Sequence, residues 1–285
     1  MHGRRQDEVN GEPAPIGTDP SVPSVARIYD YYIGGKDNYA VDRAAADEAA
    51  RLHPGGLDAL RAGGLQNRRF LANSVNYLAG QGIRQFLDIG TGLPTADNTH
   101  EVAQRAAPSS RIVYVDHDPV VLAHARALLT STPEGATSYI DADLRDPETI
   151  LRQAAETLDF SQPMAIMLIA VLHVIDDSDH PDQIVRDLMA AAPPGSYLAI
   201  SHLTRDISAT AEAEAMAFFA QALSERMIEN MVLRDRAAIT RFFDGLELVE
   251  PGVVQPDRWH TETDPSAPSS VPMYAGVGRK PGTPS

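Results

Sequence analysis

The chain has 285 residues, 43% apolar and 22% charged, which fits a globular protein built as one large α/β domain or as a core with a small extra domain. Its formal net charge of −15 would repel a phosphate polyanion, and it has no cysteine for a disulfide or a thiolate metal site. No apolar run reaches the roughly 18–20 residues of a membrane span, and the polar opening Met1–Asp19 shows no secretory signal, so a cytoplasmic protein without nucleic-acid or membrane partners is expected.

Residues 1–22 are rich in Pro and Gly and read as a loose tail. From Ser24 the pattern turns helical: Val25, Ile28, Tyr29, Tyr32 and Ile33 share one face, with Ser24 as N-cap and Gly34-Gly35 as the stop. A second helix spans Tyr39–Leu52 and is broken by His53-Pro54-Gly55-Gly56. Leu57–Ala62 and Leu65–Leu78 read as two further helices, closed by Gly80 and Gly82. These helices make residues 23–80 an N-terminal helical cap.

After Ile83 strand and helix alternate, the pattern of a parallel sheet with crossover helices. Strands are expected at Gln85–Ile89, Arg111–Val115, Thr137–Ile140, Met164–Ile169 and Tyr197–Ser201. Helices are expected at Asn98–Ala107, Pro119–Thr130, from Pro147, at Pro181–Ala191, Ser208–Arg226 and Asp235–Phe243. Leu246–Val249 and Met273–Val277 are strand-like with no helix between them, which predicts antiparallel neighbours.

The chemistry-bearing residues gather where these strands end. Asp88-Ile89-Gly90-Thr91-Gly92 places an acidic residue before a glycine turn, where the backbone can approach a ligand closely. The position where a dinucleotide fingerprint would carry its third glycine is Thr95, so that fingerprint is incomplete. After the second strand comes Asp116-His117-Asp118-Pro119; Asp116 suits a pair of ribose hydroxyls, and Asp118 suits a helix cap. After the third, Asp143 suits an adenine amino group with Leu144 against the ring, the alternative being that Asp143 and Asp146 end the strand and cap the helix. Ala170-Val171-Leu172-His173 follows the fourth strand and faces the reacting group; His173 is a candidate base or orienting residue, and His202 after the fifth strand a second. The histidines are too scattered for a metal site.

Tyr29-Asp30-Tyr31-Tyr32-Ile33-Gly34-Gly35-Lys36-Asp37-Asn38-Tyr39 with Asp42-Arg43 resembles the opening signature of the actinobacterial S-adenosylmethionine-dependent methyltransferases formerly grouped as a domain of unknown function. Asp88–Thr95, Val115–Pro119, Ala142–Pro147, Ala170–Asp176 and Tyr274–Lys280 are similar to that family's later motifs, so the likeness covers about residues 23–280. It implies a class I methyltransferase Rossmann-like fold over residues 81–280: a mostly parallel seven-stranded sheet with an antiparallel C-terminal strand. It also implies S-adenosylmethionine as cofactor, with Asp88, Gly90, Thr91, Gly92, Asp116, His117, Asp143, Leu144 and Ala170 around it. In the cap it makes Gly34, Lys36 and Asn38 candidates for the methionine carboxylate, and it sets Tyr31 and Tyr32 beside the methyl group, where an aromatic face stabilises a sulfonium. The expected reaction is direct methyl transfer to a small molecule. A non-catalytic cofactor-binding protein and a nicotinamide-dependent oxidoreductase are the alternatives. Oligomeric state is left open.

Overall fold

The computed structural model describes residues 8–9, 12–13, 19, 21–53, 55–128, 131–206, 221, 231–262 and 271–282. Of the expected tail it describes chiefly a two-residue pairing of Glu8–Val9 with Glu12–Pro13. The helix expected over Ser208–Arg226 falls almost wholly outside the described residues.

Seven strands make the main sheet: β1 (Gln85–Ile89), β2 (Arg111–Asp116), β3 (Ala136–Asp141), β4 (Ala165–Ile169), β5 (Tyr197–Leu203), β6 (Glu247–Leu248) and β7 (Met273–Arg279). Their order is β3-β2-β1-β4-β5-β7-β6. The first five run parallel, and β7 lies antiparallel between β5 and β6. This is the expected mostly parallel seven-stranded sheet, and it ends in a hairpin instead of a second βαβ half.

Period-two alternation divides the strand residues between two cores. Leu87, Val113, Ile166, Leu168 and Ile200 face a cluster completed by Ile150, Leu188, Ile239 and Phe242. Those four come from α6 (Pro147–Ala154), α7 (Pro181–Ala191), α8 (Arg236–Arg241) and the residue after it. Phe86, Ile112, Met167, Ile169 and Ala199 face the other side, against Phe70, Leu71, Val75, Leu78 and Trp259. Trp259 is fully buried and meets Phe70 edge-on, with ring centroids 5.3 Å apart, a preferred aromatic geometry.

The cap consists of α1 (Val25–Tyr32), α2 (Ala40–Leu52) and the first half of α3 (Gly56–Gly80). Where the sequence suggested two helices split at Gly63-Gly64, α3 runs unbroken for 25 residues. Packing overrides glycine's poor helix propensity. A Cβ on Gly64 would lie 2.8 Å from the Ile33 side chain, so the bare backbone lets the end of α1 press against α3.

The signature turn after α1 has a structural logic. The buried Asp30 carboxylate accepts the Asp37 N–H at 2.9 Å and the Asn38 Nδ2 at 2.8 Å. Any Cβ on Gly35 would run into that carboxylate. Arg43 Nη1 closes the turn on the Asn38 carbonyl and side-chain oxygens.

A second polar node fixes the cap to the sheet edge. Asp42, fully buried, accepts from Ser24 N–H, Arg27 Nε and Tyr39 N–H. Ser24 occupies the N-cap position of α1, but its hydroxyl donates to Asp118 at 2.8 Å, and Arg27 Nη1 lies 3.6 Å from the same carboxylate. Asp118 also caps α5 (Pro119–Leu128), as expected, by accepting the Val120 N–H.

Candidate active site

A cavity of about 410 Å³ lies between the cap and the carboxyl ends of β1, β2 and β4, within the size range of small-molecule sites. A larger groove, about 1110 Å³, runs along the opposite, amino-terminal edge, past Gln85, Arg111 and Tyr197. Sites in open α/β sheets form at the carboxyl ends, where the order of strands reverses, and here β1 and β4 mark that point. The cavity under the cap is therefore the candidate.

Of the expected residues, Asp88, Gly90, Thr91, Gly92, Asp116, His117, Ala170 and His173 line it. Gly90 and Gly92 hold φ of 74° and 64°, the left-handed region that glycine occupies without steric cost. Asp116 accepts the Gly92 N–H on one oxygen and the His117 and Asp118 N–H groups on the other. Burial raises its carboxyl, and the bonds from Asp118 and Gly92 act against that. Asp88 points to the cap side of the sheet and accepts the Thr99 hydroxyl at 2.6 Å. Burial pushes its carboxyl up to about 6, with the Thr99 bond and the Arg68 charge pulling the other way.

His173 is 3% exposed, and its Nδ1 has no hydrogen-bond partner. Burial, then the nearby Arg234 charge, push its pKa down to about 3, so the ring is neutral at ordinary pH. Its edge meets the His202 ring, centroids 5.6 Å apart.

Other expected residues are not brought to this cavity. His202 is fully buried on the far face of the sheet. Its Nε2 lies 2.8 Å from Arg234 Nη1, which can only donate, so Nε2 accepts and Nδ1–H donates to the Leu203 carbonyl. Burial holds it well below the usual histidine range, so the geometry offers no base there. Tyr31 donates to Asp47 on α2 at 3.0 Å, and Tyr32 is the tyrosine of the pair that reaches the cavity wall. Gly34 and Lys36 are exposed at the turn, and both ends of the Asn38 amide are committed within it. Asp143 is bound at both oxygens by Arg145, while Leu144 packs into the core beneath the sheet.

The sequence reading missed Arg68. It lies on α3 against the cavity, with Nη2 anchored on the Ala96 and Asp97 carbonyls at 3.0 and 3.1 Å. Its Nε is buried without a partner. A signal was present in the Arg68-Arg69 pair, the densest basic point beyond the tail, which reads as a nucleic-acid patch too small to matter.

A buried relay positions the loop after β4. Tyr29 donates to the Gly64 carbonyl at 3.0 Å and accepts from Asn67 Nδ2 at 3.1 Å. Ser201 donates to Asn67 Oδ1 at 2.6 Å, and its oxygen accepts the Ala170 N–H at 3.0 Å. Ala170 has a φ of 55°, a strained value for a residue with a Cβ, and such strain persists only where the surroundings over-determine it. Asn67→Ala leaves Ser201 and Tyr29 short of partners, and urea unfolding should show a loss of about 1–2 kcal/mol.

The family model described as S-adenosyl methyltransferase matches residues 12–281. The chain belongs to the S-adenosyl methyltransferase family. A DUF574 family protein from Streptomyces avermitilis is 44% identical, with a TM-score of 0.84 over 91% of this chain and 98% of its own. A structure from Thermobifida fusca is 42% identical, with a TM-score of 0.82 over 92% of this chain and 96% of its own. An O-methyltransferase family protein from Burkholderia thailandensis, 15% identical, shares the fold alone, with a TM-score of 0.52 over 83% of this chain and 63% of its own. Among curated proteins none matches.

This S-adenosyl methyltransferase thus uses S-adenosylmethionine as its cofactor, and the cavity fits it. The glycine turn leaves open space above Gly92, Asp116 stands at the end of β2, and the unpartnered Arg68 Nε suits a carboxylate. Among the described residues no helix is long and apolar enough to cross a membrane, and no cluster of three metal-ligating side chains occurs.

Proposed function

We propose that this methyltransferase transfers the methyl group directly to a small molecule enclosed beneath the helical cap. The observation that carries this reading is the cavity itself, which joins the Asp88–Gly92 turn and Asp116 to the apolar underside of α1 and α3. When bound, the cofactor supplies an electrophilic methyl group on a positively charged sulfur.

The roles follow from what each side chain has left to offer. Asp116 is fixed by three backbone N–H groups and keeps acceptor capacity for ribose hydroxyls. Arg68 takes the methionine carboxylate in the place first given to Lys36, and Asp88 takes the ammonium. Ala170 is held by Ser201 beside the methyl group. In-line positioning needs no strong acid or base, which suits a site whose histidine is neutral. The cap excludes water. Asp143 is held by Arg145 and does not line the cavity, so it takes no part in this reading.

The net charge of −15 favours a small-molecule acceptor over a nucleic acid. Titration calorimetry should show one site per chain for S-adenosylmethionine and for S-adenosylhomocysteine. A folded sample that binds neither would overturn the assignment of this cavity.

A further inference from the structure

The cavity has two chemically distinct parts. Over β1 and β2 it is lined by Asp88, Asp116 and Arg68, the groups assigned above to the cofactor. Towards β4, β5 and β7 the wall changes: Ile28, Leu60, Leu71, Val174, Leu203 and Met273 are all apolar. Among the described residues Tyr29, Tyr32, Asn67 and His173 bring polar atoms to that part, with Tyr32 bonded to the Ala46 carbonyl and Asn67 to Tyr29 and Ser201. The Tyr29 hydroxyl is already donating to Gly64 and accepting from Asn67. His173 has neither ring nitrogen bonded among those residues; Nδ1 is sealed off, which leaves Nε2 as the nitrogen open to a ligand in the chamber.

Behind His173 stands the nearly fully buried Arg234. Its guanidinium donates to the Leu172 and Ile175 carbonyls, to His202 Nε2 and to Asp177, so it is bound in place and does not reach the cavity. Its charge is paired with Asp177, so the repulsion an ammonium meets in the chamber is that of the cofactor's sulfonium. A carboxylate would be attracted but would lose its water for a single partner, an expensive exchange in an apolar chamber.

We propose that the acceptor is an uncharged, largely apolar phenol, whose hydroxyl hydrogen-bonds His173 Nε2 and is methylated on oxygen. This rests on the cofactor assignment above. A hydroxyl suits His173 in either tautomer, because it donates to a bare Nε2 or accepts from Nε2–H, whereas an ammonium can only donate and a carboxylate only accept. A phenol is indicated over an alcohol because a flat aromatic ring suits the apolar wall of Ile28, Leu60, Leu71 and Met273, and its hydroxyl gives up a proton more readily as the O–C bond forms. Its proton goes to solvent, the oxygen lone pair forms the new O–C bond, and the C–S pair returns to sulfur to leave S-adenosylhomocysteine. His173 positions the oxygen and takes no proton.

The test uses the full chain saturated with S-adenosylmethionine and three matched probes: 2-naphthol, 2-naphthoate and 2-naphthylmethylammonium. Calorimetry should show 2-naphthol binding at least roughly tenfold more tightly than either ion, and mass spectrometry should find 2-methoxynaphthalene. His173→Phe should lower 2-naphthol affinity by roughly tenfold while S-adenosylhomocysteine still binds as in wild type, which also reports a folded protein. Tighter or equal binding of an ion, no binding of 2-naphthol, or an unchanged His173→Phe variant would overturn the proposal. Loss of S-adenosylhomocysteine binding in the wild-type chain would instead overturn the cofactor assignment on which it stands.

Discussion

Replacing Arg68 by alanine is expected to weaken S-adenosylhomocysteine binding by roughly 100-fold, the loss of a charge-assisted carboxylate contact of about 2–3 kcal/mol. The same variant should bind 5′-methylthioadenosine, which lacks the amino-acid portion, within about threefold of wild type, because that difference is worth under ~1 kcal/mol. The contrast follows from geometry. Arg68 Nη2 is already fixed on the Ala96 and Asp97 carbonyls, and its buried Nε has no partner among the described residues, so the guanidinium keeps a donor for the carboxylate proposed above. Paired calorimetric titrations of both ligands check it. Equal losses for the two would mean that Arg68 only shapes the wall; no loss for either would place the carboxylate elsewhere. Lys36→Ala, exposed on the turn, should change neither affinity.

Asp88→Asn should have opposite effects on stability and on binding. Burial pushes the Asp88 carboxyl up to about 6 in the folded chain, above its value when unfolded. The folded state thus holds this proton more tightly than the unfolded state. The group's favourable contribution is complete below the ordinary carboxylate range and disappears as pH rises through about 6. At pH 8 the cofactor-free wild type carries a buried, desolvated charge costing at most ~3 kcal/mol, which asparagine removes while keeping an acceptor for Thr99. Denaturant unfolding at pH 5 and pH 8 should show the variant gaining on wild type at the higher pH. The difference between the two proteins isolates Asp88, since buried Asp30 and Asp116 titrate upward in both. Affinity for S-adenosylhomocysteine should fall by roughly tenfold or more in the variant at pH 8, because the ammonium loses its counter-ion. If the variant were less stable than wild type at pH 8, the buried-charge reading of Asp88 would be wrong.

The sheet was largely legible because its strands are short apolar runs punctuated by Asp, Gly and Pro. Asp88, Gly90, Gly92 and Asp116 could be placed at the cavity because their location follows from position at a strand end. His202 could not, for a reason of length. The sequence suggested that the fifth strand ends at Ser201, but β5 continues to Leu203, opposite Tyr274 and Met273 on β7. Inside a strand, alternation sends His202 to the far face, where Phe242 stacks on it, and sends Ser201 towards Asn67.

The signature turn misled for another reason. Gly-Gly-Lys-Asp-Asn has the composition of a ligand loop, but its amide donors turn inward to Asp30, and a carboxylate buried by folding cannot be told from a solvent-facing one by its neighbours in sequence. Arg68 escaped notice because the helix read over Leu65–Leu78 shows an apolar face of Phe70, Leu71, Val75 and Leu78, and nothing in the sequence says what the positions beside that face meet. Once α3 is one helix, Asn67, Arg68 and Leu71 share the surface that meets the cavity.

That unbroken helix also limits how the protein can be taken apart. The first half of α3 carries Leu60 and Gly64 into the cap, while the second half carries Phe70, Val75 and Leu78 into the same cluster as Phe86, Ile112 and Trp259. A fragment starting at β1 would lose the Phe70, Leu71, Val75 and Leu78 cover of one sheet face, and a fragment ending before β1 would carry those side chains on its surface. The cap is therefore not a module that could be exchanged between relatives to graft one acceptor preference onto another. Altering that preference calls for side-chain changes on α1 and on the first turns of α3, with the helix itself left whole.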